Sequence, residues 1–179
     1  MVSPFLYFPG ERLSLSELTA ACLDGLLTPI GEGFMPADAV ETAWMRARSL
    51  APLASDRWAV VRVSAAWVHG AIASEPVRHH LQRASAVRVR PVRAAGVVVH
   101  DVRIPPGDVV TIAGIRVTTP ERTLVDLARS LDADDLADAL RWARAAPDVR
   151  DDARAWLARH PRFPYGRRAD DVLAGVRTR

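Results

Sequence analysis

The sequence predicts an α+β protein with a mixed or antiparallel sheet in its middle and a helical cluster at its C-terminal end. Residues 114–129 change from the alternation of a strand to the 3.6-residue spacing of a helix. Residues 77–104 are rich in valine and alternate with polar positions, as strands do. Residues 132–176 have the spacing of amphipathic helices. We expect a winged-helix-like module over residues 1–58 and an α+β domain with a helical C-terminus over residues 59–179.

The N-terminal part begins with a short capped helix. Ser14 or Ser16 can cap a helix over residues 15–23, and Gly25 is placed to end it. Residues 26–36 then predict a hairpin whose strands flank a three-residue turn rich in glycine. A helix followed by a glycine-tipped hairpin is the back half of a winged helix-turn-helix. The sequence therefore predicts a reduced winged-helix-like module.

Two capping signals follow in the chain. Asp38 with Glu41 has the spacing of a capping box and predicts a helix that runs to about residue 50. Residues 58–63 predict a short strand, and Ser64 then predicts the N-cap of a helix over residues 65–70.

The best-determined joint lies between the last predicted strand and the helix after it. A hairpin that turns at residues 113–114 leads into this joint. With Thr119 as N-cap, Pro120 takes the first helical position, where its missing N–H costs nothing. With Thr118 as N-cap, Glu121 completes a capping box instead. Either choice ends a strand and starts a helix within about two residues.

The C-terminal part predicts three helices. Asp132 or Asp134 can cap the first, Pro147 opens the second, and residues 169–176 form a short third. Residues 159–168 are basic and carry two aromatic side chains. This tail has two interpretations, a contact for a partner or a phosphate and a proline-rich connector between helices.

The basic residues are unusual in kind and in distribution. All 24 are arginine, so the chain has no lysine for a P-loop ATPase, a Schiff-base enzyme or a lysine-dependent nuclease. Residues 1–60 carry four arginines against seven acids, whereas residues 61–125 carry nine arginines against four acids. The pI near 9.9 permits contact with nucleic acid.

The most basic window lies between Glu75 and Asp101, with no acidic residue inside it. Its arginines are Arg78, Arg83, Arg88, Arg90 and Arg93. One interpretation is a nucleic-acid or anionic-partner surface on a sheet face, and the other is a solvated strand face. No aromatic residue is interleaved to stack bases, which disfavours single-strand binding.

The search for chemistry gives no catalytic residue, no cofactor and no metal site, and we predict that the protein is not an enzyme. The single Cys22 rules out a disulfide framework and is expected to be an inert core thiol. The five histidines lack metal-ligand spacing, and His69 is expected at a helix end next to Gly70. With a single cysteine we expect a reducing, cytoplasmic compartment, and since no stretch is long and apolar enough to cross a membrane, we expect no membrane contact.

Three stretches resemble one family when taken in order. They are Ser-Ala-Ala-Trp-Val-His-Gly at 64–70, residues 96–110 around Gly-Val-Val-Val-His, and Val-Thr-Thr-Pro-Glu-Arg-Thr-Leu-Val-Asp-Leu-Ala-Arg at 117–129. Together they resemble AbiEi-type proteins, the antitoxins and transcriptional regulators of bacterial abortive-infection, type IV toxin–antitoxin systems. The family motif falls here on Thr119, Pro120, Arg122, Thr123 and Asp126.

The spacing within this motif favours a structural role. Arg122 and Asp126 are four residues apart on the predicted helix, and Asp126 and Arg129 are three apart, so both pairs can form. A catalytic role would need a nucleophile or a metal partner nearby, and the sequence nominates none. We therefore expect a polar network that joins the helix to the sheet.

The resemblance implies a DNA-associated regulator or antitoxin that binds duplex DNA at its own promoter, with a nucleotidyltransferase-like toxin, or that toxin's target, as a further partner. The alternative is a protein-interaction module that has lost DNA binding. The acidic N-terminal module, with room for one helix before its hairpin, either touches DNA or is a degenerate wing kept for packing or dimerisation. The sequence leaves the oligomeric state open.

Overall fold

The computed structural model describes residues 5–87 and 95–176. The first part contains helix α1 (Leu15–Leu23), the hairpin strands β1 (Leu27–Ile30) and β2 (Gly33–Pro36), and helix α2 (Ala43–Ser49). A five-stranded sheet follows. Its strands are β3 (Trp58–Val60), β4 (His79–Arg83), β5 (Val97–His100), β6 (Val109–Ile112) and β7 (Ile115–Thr118), and helix α3 (Arg62–Val68) lies between β3 and β4 in the chain. Helices α4 (Pro120–Ala128), α5 (Ala133–Ala145), α6 (Pro147–Arg159) and α7 (Gly166–Ala174) follow. The predicted α+β class is confirmed.

The N-terminal module has the predicted helix and hairpin, with one correction. Ser14 accepts from the Glu17 amide while the Glu17 carboxylate accepts from the Ser14 amide, which is a complete capping box. The hairpin turn has two residues and not three, because Ile30 pairs directly with Gly33. Gly31 makes this tight turn possible through its positive φ of 52°. Tyr7 also pairs with Phe34, so a third extended segment flanks β2.

Two of the predicted caps are wrong. Helix α2 begins at Ala43 with Thr42 as its N-cap, because Glu41 pairs with Arg46 through a 2.6 Å Oε1–Nε contact and closes no box with Asp38. Ser64 lies inside α3 and is buried. Its hydroxyl accepts from the His80 amide at 2.9 Å, which ties the helix to the sheet.

The sheet is mixed, with strand order β5-β4-β3-β7-β6. The pairs β3–β4 and β6–β7 are antiparallel, and the pairs β4–β5 and β3–β7 are parallel. The predicted turn at residues 113–114 is confirmed, and both of its residues have positive φ.

One face of the sheet carries most of the core. Helices α2 and α3 pack against the strands there, and α4 packs against α3 and is surrounded by α5, α6 and α7. Trp67 lies at the centre and is fully buried. The cluster runs without a break from Ile30 of the N-terminal hairpin to Leu173 of α7. A smaller cluster around Ile104 covers the opposite face, which we call the outer face. The division at residue 58 stays a prediction.

The remaining element predictions differ by small shifts. Asp132 caps α5 by accepting from the amides of Asp134 and Asp135, so α5 begins at Ala133. Helix α7 begins at Gly166, three residues before the predicted start. Cys22 is only half-buried, because its side of α1 has little to pack against, so the expected core position is wrong. Within residues 5–87 and 95–176, no helix combines the length and the hydropathy that a bilayer crossing needs.

Candidate nucleic-acid interface

The family motif forms a buried ionic network at the start of α4. Thr119 is the N-cap, with its hydroxyl accepting from the Arg122 amide, and Pro120 is the first helical residue. The Arg122 guanidinium donates to the Asp126 carboxylate at 3.0 Å through Nε and to Asp108 through Nη1. All three charged side chains are 5% exposed or less. Both predicted helix pairs are present, since Arg129 donates to Asp126 at 2.8 Å.

Aromatic side chains enclose this network from the side of α6. The Trp156 indole N–H donates to the second oxygen of Asp108 at 2.8 Å. The Arg122 guanidinium lies 5.1 Å from the Trp156 ring centroid and 4.7 Å from that of Phe163. Desolvated cations are attracted to aromatic faces, so the rings compensate part of the lost hydration. The network therefore joins α4 to the residue before β6 and to α6.

Sequence spacing gave no signal for these partners. Asp108 and Trp156 are 14 and 34 positions from Arg122, and only the fold brings them together. Asp108 lies in a stretch that carries the family resemblance, which was the one available hint. Trp156 looked like an ordinary apolar position of a helix.

The threonines of the motif connect α4 to the sheet. The Thr123 hydroxyl donates to the Thr119 carbonyl at 2.8 Å and lies 2.7 Å from the Thr118 hydroxyl. His69, at the C-cap of α3, places Nε2 2.7 Å from the Thr118 carbonyl oxygen. Burial lowers the pKa of His69, so the neutral ring donates this bond. His69 is thus bonded within the fold at a helix end, as expected.

The predicted arginine window is only partly within the described residues. Arg78 is exposed just before β4. Arg83 is held by the Asp101 carboxylate at 3.1 Å and by the Ser85 carbonyl at 2.9 Å, so its charge is already compensated. Arg88, Arg90 and Arg93 lie outside the described residues.

The histidines of this window point to opposite faces of β4, as alternation requires. His79 is buried and lies 3.1 Å from the Glu75 carboxylate, which also accepts from the Gly31 amide at 2.8 Å. His80 is on the outer face, with its Nδ1 3.3 Å from Nε2 of His100. Burial, together with the His100 ring, lowers the pKa of His80 to about 4. The described residues contain no group of three or more His, Cys, Asp or Glu side chains that could hold a metal ion.

A second basic surface lies where α6 ends and α7 begins. We call it the α6–α7 corner; it consists of Arg159, Arg162, Tyr165, Arg167 and Arg168. All five side chains are exposed, and within the described residues none of the four arginines forms an ion pair. Tyr165 has a positive φ of 60°, which turns the chain into α7. Residues 159–168 connect the end of α6 to the start of α7, as one of the two interpretations of the tail expects. Because the four arginines there form no ion pair within the described residues, the other interpretation, a contact with a phosphate, stays open.

An open cleft of ≈ 440 Å³ lies between α6 and α7 beside this corner. Its lining includes His160, Arg167 and the exposed Arg154–Asp170 ion pair. His160 is fixed by stacking on Trp156, with ring centroids 4.0 Å apart. The corner is therefore anchored directly to the aromatic side of the buried network.

Fold and motif together define an α+β domain of the antitoxin type. Residues 58–160 match the family described as the AbiEi antitoxin C-terminal domain. Because this match covers more than half of the chain, the protein belongs to that family, which gives it a role in toxin–antitoxin or abortive-infection systems and implies a cognate toxin. The matched range begins at β3 and ends just after α6, so it contains the sheet and the entire network.

Among solved structures, the chain is similar to the crystal structure of RV2827C protein from Mycobacterium tuberculosis. The two are 18% identical with a TM-score of 0.39, over 98% of this chain and 78% of that chain. No curated protein matches the chain.

Proposed function

We propose that this protein is a DNA-associated transcriptional regulator and antitoxin of a bacterial toxin–antitoxin or phage-defence system. The observation that carries the proposal is the placement of exposed arginines without ion pairs. Within the described residues, four of them lie together at the α6–α7 corner; the others are spread over the chain, at Arg12, Arg57, Arg78, Arg103, Arg116 and Arg144. The N-terminal module is acidic by comparison.

Free arginines suit duplex DNA because of their chemistry. The guanidinium is always charged and can donate two parallel hydrogen bonds to one phosphate. Each phosphate contact releases a condensed counterion, so affinity decreases steeply with salt. The four corner arginines follow the chain from the end of α6 to the first turn of α7, where the helix dipole also favours an anion.

The N-terminal helix is less suited to this contact. Helix α1 precedes the hairpin, in the position that a recognition helix takes in a winged helix. Helix α1 carries no cation, and its exposed surface presents Leu15, Leu23 and the Glu17 carboxylate, so it lacks the positive charge on which phosphate contacts depend. We therefore assign the DNA backbone contacts to residues 59–179 and not to α1.

The test is fluorescence anisotropy with a labelled duplex from upstream of the protein's own operon. We expect binding that weakens between about 50 and 200 mM salt. Alanine at Arg88, Arg90 and Arg93, or at the four corner arginines, should weaken binding and reduce the salt slope by about 0.9 per lost contact.

The matched control removes two exposed arginines that already have carboxylate partners. Arg141 pairs with Asp138 and Arg154 pairs with Asp170. The Arg141→Ala/Arg154→Ala variant should bind DNA nearly as tightly as the parent. Absence of duplex binding at low salt would reject the regulator proposal for this chain.

The second candidate is a protein-interaction module that lost DNA binding. The exposed leucines of α1 favour it, because a monomer rarely presents clustered apolar side chains without a partner. Co-purification of the neighbouring gene product without nucleic acid would support this candidate over the first.

A further inference from the structure

Helix α1 presents an apolar stripe on the side that is not packed against the fold. Leu15, Thr19 and Leu23 are spaced at i, i+4 and i+8, so they form one line along the helix. Leu15 is 58% exposed and Leu23 is 85% exposed. Leu26, just after the helix, is also 66% exposed. Such clustering marks an interaction site more often than a free surface.

The stripe carries no charge. At 100° per residue, Glu17 lies about 160° around the helix from Thr19, and Asp24 lies about 140° away. The Thr19 hydroxyl already donates to the Leu15 carbonyl at 2.8 Å, so it can be buried without losing a hydrogen bond. Every position of the stripe can therefore leave water at no electrostatic cost.

Helix α1 has little to hold it in place. Within the described residues, Leu18 is the one α1 side chain that is fully buried, and the main neighbour of the helix is β1. A nine-residue helix is marginal in water unless tertiary packing supports it. A partner on the open side would supply the packing that the rest of the fold does not.

We propose that α1 pairs antiparallel with α1 of a second copy of this chain, about a two-fold axis at Thr19. The stripe is symmetric about that residue, so Leu15 of each copy meets Leu23 of the other, about 12 Å apart along each helix. In the same register Glu17 faces Ala21 and no two acids oppose each other. Ser16 and Ala20 beside the stripe are small and let the helices approach closely.

Self-pairing fits this surface better than the other occupants do. Duplex DNA would need cations on α1, which has none. The stripe has leucine at both ends about Thr19, so it is complementary to itself across a two-fold axis, as a contact between two copies requires. The stripe is smaller than the roughly 800 Å² per partner of a standard interface, so the dimer should dissociate on the order of micromolar concentration.

The proposal is tested by sedimentation velocity on the full chain from about 1 to 300 µM. We expect the mass to rise with concentration from 19.6 kDa to twice that value. Leu23→Glu should hold the protein at the monomer mass over the whole range. The matched control is Leu131→Glu, a leucine 79% exposed outside α1, which should dimerise like the parent. Circular dichroism on each variant confirms that the fold is kept.

A second readout tests the register. Thr19→Cys in a Cys22→Ser background places one thiol at the axis, and mild oxidation should give a disulfide-linked dimer. A parent chain that stays monomeric at 300 µM, an Leu23→Glu variant that still dimerises, or the absence of the cross-link would each overturn the proposal. DNA binding is measured separately, so a monomer that binds duplex DNA rejects the dimer and leaves the proposed function intact.

Discussion

Replacing Arg122 with alanine should be among the most destabilising single changes in this protein. Arg122 bridges Asp108 and Asp126, which are 5% and 1% exposed. Asp126 keeps its bond from Arg129, whereas among the described residues Asp108 keeps only the neutral Trp156 indole as a side-chain donor. The variant therefore leaves a buried carboxylate without a cation.

The expected loss is about 3–5 kcal/mol, the usual cost of breaking a buried ion pair by removing one partner. Domains of this size are stable by only about 5–15 kcal/mol, so roughly a fifth or more of the total stability is at stake. Arg122→Lys keeps the charge but cannot bridge two carboxylates in the same plane, and we expect an intermediate loss of about 1–3 kcal/mol.

The measurement is urea unfolding at pH 7 followed by far-UV circular dichroism. Arg154→Ala is the matched control, because it breaks an exposed arginine–aspartate pair of 2.8 Å and should cost less than about 1 kcal/mol. Adding Asp108→Asn to Arg122→Ala should recover part of the stability by removing the unpaired charge. The reasoning is refuted if Arg122→Ala costs no more than the control, or if the second change recovers nothing.

Three further changes test other contacts. Trp156→Phe removes the indole donor and should cost about 1–3 kcal/mol in the same urea experiment; a value near zero would contradict a buried hydrogen bond at that position. Because the pKa of His80 is lowered from 6.5 to about 4, the unfolded chain binds more protons than the folded protein between pH 4 and pH 6.5. Stability should therefore decrease as the pH falls from 6.5 to 4, by about 1–2 kcal/mol after solvent screening, and His80→Asn should flatten that part of the profile. Gly31→Ala places a Cβ 2.3 Å from the Ser49 hydroxyl oxygen at a φ of 52° and should lower the melting temperature more than Gly10→Ala, where φ is 85° and nothing lies within 4 Å. Equal effects of the two alanines would show that backbone strain alone decides the result.

The elements predicted best are those whose signals lie within a few residues. Thr119 and Pro120 begin α4 as expected, because a cap and a fixed φ act on the adjacent amides. The capping box predicted from Asp38 and Glu41 is the same kind of local signal, but it does not form. Glu41 pairs instead with Arg46 in the first turn of α2, and Thr42 is the N-cap of that helix.

The candidate surfaces were predicted in part. Charge counting found an arginine-rich middle, but it could not show that Arg83 is already held by Asp101. It also did not show that Arg159, Arg162, Arg167 and Arg168 have no ion-pair partner among the described residues, while Phe163 packs against Arg122. Counting charged residues along the chain gives the net charge of a region. Whether each arginine is available to a partner depends on the side chains that folding brings next to it.

By itself the sequence determined the joint at residues 117–120, the arginine-only basicity and the family motif. These depend on hydrogen bonds, periodicity and composition that lie within a few residues of each other. Only the tertiary structure decided that Arg122 meets Asp108 and Trp156, and that the Leu15–Leu23 stripe is left uncovered. Such contacts depend on how the sheet and helices pack over long separations, which local spacing does not encode.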